Sequence, residues 1–246
     1  MIFDSHVHSI ISFDSEMGFD EAIKAAHKKG LGITFTEHVD FQEGFVFDFN
    51  EYPHSYRHLR SDSVLLGVEV GLAPAFLEQN KKLGDYDFVI GSVHSVDGID
   101  FYHDFPEDVH GFICRYLNYA CEMVEDCFFD SFGHIDYIAR YNPMTPDKYN
   151  PDSAGLFKFE NFPNEFDRLL KIIAEKGIAI EINTSYFDKI NSFPIYKRFA
   201  QLGGRYCTLG SDSHTTDTIG KFIPEAKKIA DEAGLEVVYF KDRKKF

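Results

Sequence analysis

The residues best equipped for chemistry in this chain are histidines and carboxylates in short, recurring patterns. His6 and His8 flank one valine, Glu37 precedes His38, and Asp212 and His214 flank one serine. Glu69 sits between two valines, and His94 and His134 each follow a short, mainly apolar run. Residues two apart on a strand point to the same side, so His6 and His8 present both imidazoles to one point. A carboxylate inside an apolar strand, as at Glu69, is costly unless it is paired or binds a metal. Imidazole and carboxylate donors without thiolate suit zinc, manganese or iron.

Taken singly, each motif has an ordinary explanation. An isolated H-x-H pair is a weak signal, and a lone histidine after a strand is commonly a hydrogen-bonded core residue. Together they offer more donors than one ion can use, which points to a cluster of metals. Ions ~3.5–4 Å apart, bridged by a carboxylate such as Glu69, can clamp the attacking and leaving oxygens of an in-line displacement. Phosphate monoesters hydrolyse extremely slowly unaided, and several cations are a direct way to stabilise the developing charge. In a chain of formal charge -15, a cationic cluster is also the place that attracts a phosphate dianion.

The elements that must position these residues alternate along the chain. Strands are expected at 1–4, 31–36, 64–70, 87–93, 127–132, 178–182 and 205–209, with a further strand at 236–240. Helices are expected at 20–29, 74–82, 106–126, 164–176, 196–202 and 219–233, with Gly30 and Gly177 as stops. Such alternation implies βαβ units and a parallel sheet, and seven or eight units imply an α/β barrel. An open doubly wound sheet would carry a glycine-rich phosphate loop after its first strand, where this chain has His6 and His8. Nearly every expected strand runs into a polar residue: His6 and His8, Glu37 and His38, Glu69, His94, His134, Asn183, then Asp212 and His214. In a barrel these strand ends meet at one face, where active sites of that architecture lie. The remaining histidines, His27, His54, His58, His103 and His110, fall in helices or loops and read as ordinary. His103, shortly after His94, is the one placed to touch a substrate.

Composition narrows the class. At 246 residues, with 44% hydrophobic and 26% charged, the chain suits one soluble domain over 1–246. Its acidity argues against a nucleic-acid partner. The basic cluster Lys241, Arg243, Lys244 and Lys245 reads as a solvated end. Cys114 and Cys121 share a helical face and read as core, and none of the four cysteines forms a C-x-x-C pair. No secretory leader or membrane span is expected, and no membrane partner, so the expected compartment is a reducing cytoplasm. The aromatic-rich segment 39–59 is expected to cover the site.

The ordered set of motifs resembles the PHP (polymerase and histidinol phosphatase) superfamily, most closely its stand-alone histidinol-phosphate phosphatases. The set comprises His6 and His8, Thr36-Glu37-His38, strand Glu69, Ser92-Val93-His94, Gly133-His134-Ile135-Asp136 and Ser211-Asp212-Ser213-His214, and the resemblance spans 4–214. It implies a single-domain distorted (β/α)7 barrel, TIM-like, with about three divalent metals (zinc, manganese or iron) serving in-line displacement. It places His6, His8, Glu69 and Asp212 on the first ion, and Glu69, His94 and His134 on the second. Asp14, His38 and His214 fall on the third, and residue patterns alone would leave Asp14 as a loop residue. The implied activity is hydrolysis of L-histidinol phosphate, in histidine biosynthesis, by attack of a metal-bridging hydroxide. Asp212, His214 and Arg140 fall at the reacting centre, with Arg140 also matching a basic position suited to a bidentate grip on phosphate. His103, Asn183 and Lys189 are the other substrate candidates. After Asn183-Thr184-Ser185 the family often continues with glycine and a basic residue, whereas this chain has Tyr186-Phe187-Asp188-Lys189. Glu37 and Asp4 are expected to orient imidazoles.

Other readings keep the site and change the substrate to a nucleotide, a sugar phosphate or a nucleic-acid 3′ end, the last disfavoured by the acidic chain. A regulatory module without catalysis would lack some ligand positions, and all are filled here. Metal-dependent amidohydrolases typically bridge their metals with a lysine, and no expected strand ends in one.

Overall fold

Strand β1 (Phe3–Val7) is buried along its whole length although it carries Asp4, Ser5 and His6. Polar groups survive there because each strand is covered on both faces, by helices outside and by the ring's interior inside. The other strands are β2 (Gly32–Val39), β3 (Val64–Gly71), β4 (Phe88–Ser92), β5 (Ser95–Val96), β6 (Ile99–Asp100), β7 (Ser131–Phe132), β8 (Ala179–Asn183), β9 (Tyr206–Gly210) and β10 (Glu236–Val237). Strands β3, β4 and β8 are likewise wholly buried, as parallel strands in α/β proteins are. This computed structural model describes residues 1–42, 44, 47–101, 108–126, 128–140 and 155–246.

The main sheet has eight strands in the order β1-β2-β3-β4-β7-β8-β9-β10, and every pairing in it is parallel. It curls until β9 meets β1. Near its start, β9 pairs with β10, Tyr206 opposite Glu236. Beyond its end the chain closes onto β1 instead: Asp212 N donates to His6 O at 2.8 Å and His8 N donates to Ser213 O at 2.9 Å. Seven strands thus form a distorted ring, sealed at the C-terminal ends, with β10 added on the edge of β9.

Helix α1 (Phe19–Lys28) buries Ala22 and Ala26 against β2, and the Glu21 carboxylate caps it by accepting from Gly18 N at 2.8 Å. Helices α2 (Tyr52–Ser55) and α3 (Leu77–Asn80) are single turns. Helix α4 (Val109–Glu125) starts where the Asp108 side chain accepts from Gly111 N. Helix α5 (Pro163–Glu175) buries Phe166, Leu169, Leu170 and Ile173, the expected face. Helices α6 (Phe193–Gln201) and α7 (Ile223–Ala233) complete the outer layer. No helix among the described residues is long and apolar enough to cross a membrane.

Several expectations shift. The first two strands run through His6 and His38 instead of stopping short of them, because hydrogen-bonded polar groups can continue a buried strand. The expected helix 74–82 is a 3-10 turn, Pro74–Phe76, followed by α3. The expected strand 127–132 shrinks to β7; Cys127 and Pro106 lie outside the described residues. Cys121 is buried as expected, whereas Cys114 is only half-buried.

The basic C-terminus is largely exposed, as expected, but it is ordered. Strands β11 (Phe240–Lys241) and β12 (Lys244–Lys245) form a hairpin whose turn residues Asp242 and Arg243 both have positive φ, the two-residue geometry that suits strand twist. The hairpin lies under the strand starts. Arg243 binds Asp130 and Phe128 O, Lys241 binds Asp62, and Lys245 reaches Gly177 O.

Candidate metal centre

The site forms at the sealed end of the ring, and Glu69 of β3 is its middle. Glu69 is 1% exposed. Its Oε1 lies 2.7 Å from His134 Nε2, 3.3 Å from His94 Nε2 and 2.7 Å from Ser92 Oγ. Its Oε2 lies 2.9 Å from His38 Nδ1, 3.4 Å from His6 Nε2 and 3.7 Å from His8 Nε2. One carboxylate therefore faces imidazoles from β1, β2, and the ends of β4 and β7. Asp212 Oδ1 sits 3.6 Å from His6 Nε2 and 3.5 Å from His8 Nε2. Asp14 Oδ2 sits 3.0 Å from His214 Nε2 and 3.4 Å from His38 Nε2. The structure thus brings together His6, His8, Asp14, His38, Glu69, His94, His134, Asp212 and His214.

His6 Nε2, His8 Nε2 and Glu69 Oε2 are buried, converge on one point and make no hydrogen bond. Buried polar atoms without partners are costly. Their 3.4–3.7 Å separations match neighbouring ligands around one ion, about 3.4 Å on a tetrahedral edge for Zn–N near 2.1 Å. Three donor groups have mutually close ligand atoms: His6, His8 and Asp212; His6, Glu69 and His134; and His8, His38 and His214. The residues present therefore fit divalent metals.

The imidazoles are aimed from behind. His6 Nδ1 meets Glu181 Oε1 at 2.7 Å, His94 Nδ1 meets Asp40 Oδ2 at 3.1 Å, and His214 Nδ1 meets Asp212 O at 3.0 Å. His8 Nδ1 meets Ser12 Oγ at 3.2 Å, and Ser12 in turn donates to Glu37 at 2.6 Å. Occupying Nδ1 in this way turns Nε2 toward the centre. Glu37 also accepts from Ser9 N and Ser9 Oγ, so it fixes the β1–α1 loop. Asp4 acts elsewhere than expected: it accepts from Ser211 N, Ser211 Oγ and Gly220 N, holding the backbone beside Asp212 and no imidazole.

Charge coupling is strong. Burial alone would lower His6, but Glu181, Glu69 and Asp212 override it and hold the imidazole well above its ordinary range. Burial likewise opposes His38, which Asp14 and Glu69 lift to about 9. His8 goes the other way, held well below its ordinary range by burial and by the neighbouring His38 and His214. Burial would raise Glu69 and Asp212, yet both sit well below the usual carboxylate range, drawn down by His6 and other neighbouring cations. Without metal, protons on imidazole supply the positive charge that these carboxylates demand.

The expected substrate residues sit differently. Arg140 is 1% exposed and its fork is used internally, Nη1 donating to Asp212 Oδ2 and Nη2 to Asp136 Oδ1, both at 3.0 Å. A bidentate grip on phosphate is therefore not how this guanidinium is placed; carboxylates that need a buried cation have claimed it. Asn183 Nδ2 donates to Glu181 and lies 3.4 Å from Asp212 Oδ2. Lys189 lies against the Tyr186 ring and lines a separate cleft with Asp136, Asn183 and Tyr196. His103 lies outside the described residues. His27, His58 and His110 pair with Ser63, Ser55 O and the Phe162 ring, away from the centre. Of the described residues in 39–59, only Asp40 lines the metal cleft; Tyr52 is buried with its hydroxyl toward Glu37.

Sequence reasoning missed Glu181, Asp40 and Ser12. Glu181 carried the same signal as Glu69, a carboxylate between apolar residues of a strand. The cleft is lined by Asp14, His38, Glu69, His94, His134, Asp212 and His214 together with Phe13, Asp40, Tyr137, Ser185 and Tyr186, with His6 and His8 buried behind them.

Comparison with known proteins agrees with this geometry. A model of the PHP domain matches residues 4–185. A probable histidinol-phosphatase of Clostridium acetobutylicum is 39% identical, with 99% of this chain and 98% of that protein aligned. The histidinol-phosphatase of Lactococcus lactis is 33% identical over 94% of this chain and 91% of its own. A crystal structure of histidinol phosphate phosphatase from Lactococcus lactis, complexed with zinc, L-histidinol and phosphate, superposes with a TM-score of 0.85 at 29% identity, covering 100% of this chain and 98% of that one.

Proposed function

The chain belongs to the PHP domain family, and from that premise we infer that it is a phosphoric monoester hydrolase converting L-histidinol phosphate to L-histidinol and phosphate. The observation that carries this reading is Glu69, a buried carboxylate facing five imidazoles, in a chain similar along its length to histidinol-phosphatases.

We assign His6, His8, Glu69 and Asp212 to one ion, Glu69, His94 and His134 to a second, and Asp14, His38 and His214 to a third. Zinc suits the donors and is bound by the Lactococcus structure; manganese and iron suit them too. When bound, such ions polarise phosphate oxygens and make water nucleophilic near neutral pH. The chain's own residues set the geometry. Glu69 would be shared by two of the ions, and Asp212 and His214 form one wall of the cleft at the reacting centre. Arg140 and Asn183 hold Asp212 from behind, so Arg140 acts on the reaction through that carboxylate.

The rest of the cleft favours this substrate. Phe13, Tyr137 and Tyr186 offer aromatic faces, a match for an imidazole and an ammonium. A nucleotide is the second reading, since the same rings could stack on a base. Lys189 lies in a separate cleft against the Tyr186 ring, which itself lines the metal cleft; we keep it as a candidate peripheral substrate contact. We place the enzyme in the cytoplasm, in keeping with the free thiols of Cys114, Cys121 and Cys207.

The test is phosphate release from L-histidinol phosphate, nucleotides, sugar phosphates and an aryl phosphate with metal-supplemented protein. A preference for histidinol phosphate of ~10³ in kcat/KM, about 4 kcal/mol, is expected. A preference for another ester moves the substrate and leaves the site. No hydrolysis with any metal ends the catalytic reading.

A further inference from the structure

Glu181 lies behind the centre on β8, 1% exposed, and both its oxygens are engaged. Oε1 is 2.7 Å from His6 Nδ1. Oε2 accepts from the backbone N of His134 at 2.7 Å and from Asn183 Nδ2 at 3.2 Å. Room for it is made by β9: a Cβ on Gly210 would stand 2.2 Å from Glu181 Oε1 and 2.5 Å from the His6 Cβ. We propose that Glu181 is a positioning residue that sets His6 and His134 together on opposite sides of Glu69, tying two ions of the centre to one buried carboxylate. The proposal rests on the metal reading above.

The chemistry is specific to a carboxylate. A carboxylate only accepts, so His6 Nδ1 carries the proton and Nε2 keeps its lone pair toward Glu69 and Asp212. The same group fixes the backbone at His134, whose Nε2 meets Glu69 Oε1. An amide cannot do both. Turned one way, its NH2 faces His134 N–H, donor against donor. Turned the other way, its NH2 faces His6 Nδ1 and drives the proton to Nε2, closing that nitrogen to a metal.

The experiment titrates zinc alone into wild-type protein, Glu181→Gln and Gly210→Ala, follows chelator competition for each ion, and records melting curves in parallel. The expected result is that both variants lose affinity ~10–100-fold for the ions held through His6 and His134. The ion held by Asp14, His38 and His214 should be retained as in wild type. In zinc-loaded protein, ¹⁵N shifts should report the Nδ1–H form of His6 in wild type and a changed tautomer balance in Glu181→Gln. Gly210→Ala keeps the carboxylate but crowds both it and the His6 Cβ, so the reading through Glu181 requires that the His134 ion weaken along with the His6 ion; loss confined to the His6 ion would overturn it, and the idea stays testable if the glutamine variant fails to fold. Wild-type-like retention of every ion in either folded variant overturns the role. So does uniform weakening of all ions in step with the melting temperature, which would mark a purely structural residue. If wild-type protein itself binds no zinc, the parent metal reading fails and this role falls with it.

Discussion

Asp40 reaches His94 Nδ1 at 3.1 Å from a place that exists only because Gly71 has no side chain: a Cβ there would stand 1.9 Å from Asp40 Oδ2. The carboxylate at the end of β2 thus aims the imidazole at the end of β4 across the last residue of β3. We expect Gly71→Ala to push Asp40 off His94 and reduce metal affinity or kcat/KM ~10–100-fold, in line with loss of a partner behind a metal ligand. Asp40→Asn should resemble it. Metal content after dialysis, set beside steady-state kinetics, checks both.

Asp212 has two tasks, and two substitutions separate them. Its Oδ1 faces His6 and His8 while its Oδ2 accepts from buried Arg140. Asp212→Ala should abolish turnover and also destabilise the fold, because Arg140 loses a carboxylate partner; breaking a buried pair costs on the order of 3–5 kcal/mol, and the bond Arg140 keeps to Asp136 puts the loss toward or below the lower figure. Asp212→Asn should be nearly as inactive but unfold closer to wild type. Denaturant melts with phosphate-release assays distinguish the two.

The metal-free protein should lose stability as pH rises. His38 is lifted from 6.5 to about 9, so its contribution is fully present below 6.5 and lost as pH climbs through about 9; His6, His94 and His214 are raised too, so theirs is likewise lost as pH rises above the ordinary imidazole range. His8 is lowered and titrates below 6.5, outside this window. Metal needs the unprotonated imidazoles, so loading should release protons and flatten this slope. Melting temperatures from pH 6.5 to 9, with and without metal, test the sign; a flat metal-free curve would count against the coupling.

At the opposite end of the ring, Asp87 is 1% exposed and accepts from Arg60, Leu66 N and Asp242 N. Arg60→Ala leaves that carboxylate without its guanidinium and should cost roughly 1–3 kcal/mol, discounted because Arg60 is partly in water. Activity of the metal-loaded enzyme should be unchanged. Parallel melts and assays would expose any effect on the centre.

The ligand candidates were legible because a polar residue after an apolar run is a local pattern, and six such patterns in a parallel α/β chain can meet only at one end. The residues behind them were harder to see. Glu181 was readable by the argument applied to Glu69, but Asp40 and Ser12 gain meaning only from residues far along the chain, across Gly71 and beside Glu37. Arg140 shows the limit of type-based reading: its chemistry suits phosphate, yet Asp136 and Asp212 decide how it is spent. The basic cluster is largely exposed as its composition suggested, but composition does not reveal that it folds into a hairpin pinned to Asp130 through Arg243.

The ring is sealed by residues of the candidate metal centre itself. His6 O accepts the amide of Asp212, and His8 N donates to Ser213 O, joining the first strand to residues more than 200 positions later. On the proposed assignment the ion shared by His6 and His8 would be completed late: on the ribosome these two imidazoles wait for Asp212, about 200 residues later. A chain that stops before Asp212 lacks the clasp and, on the same assignment, would also lack one of the four donors to the ion shared by His6 and His8.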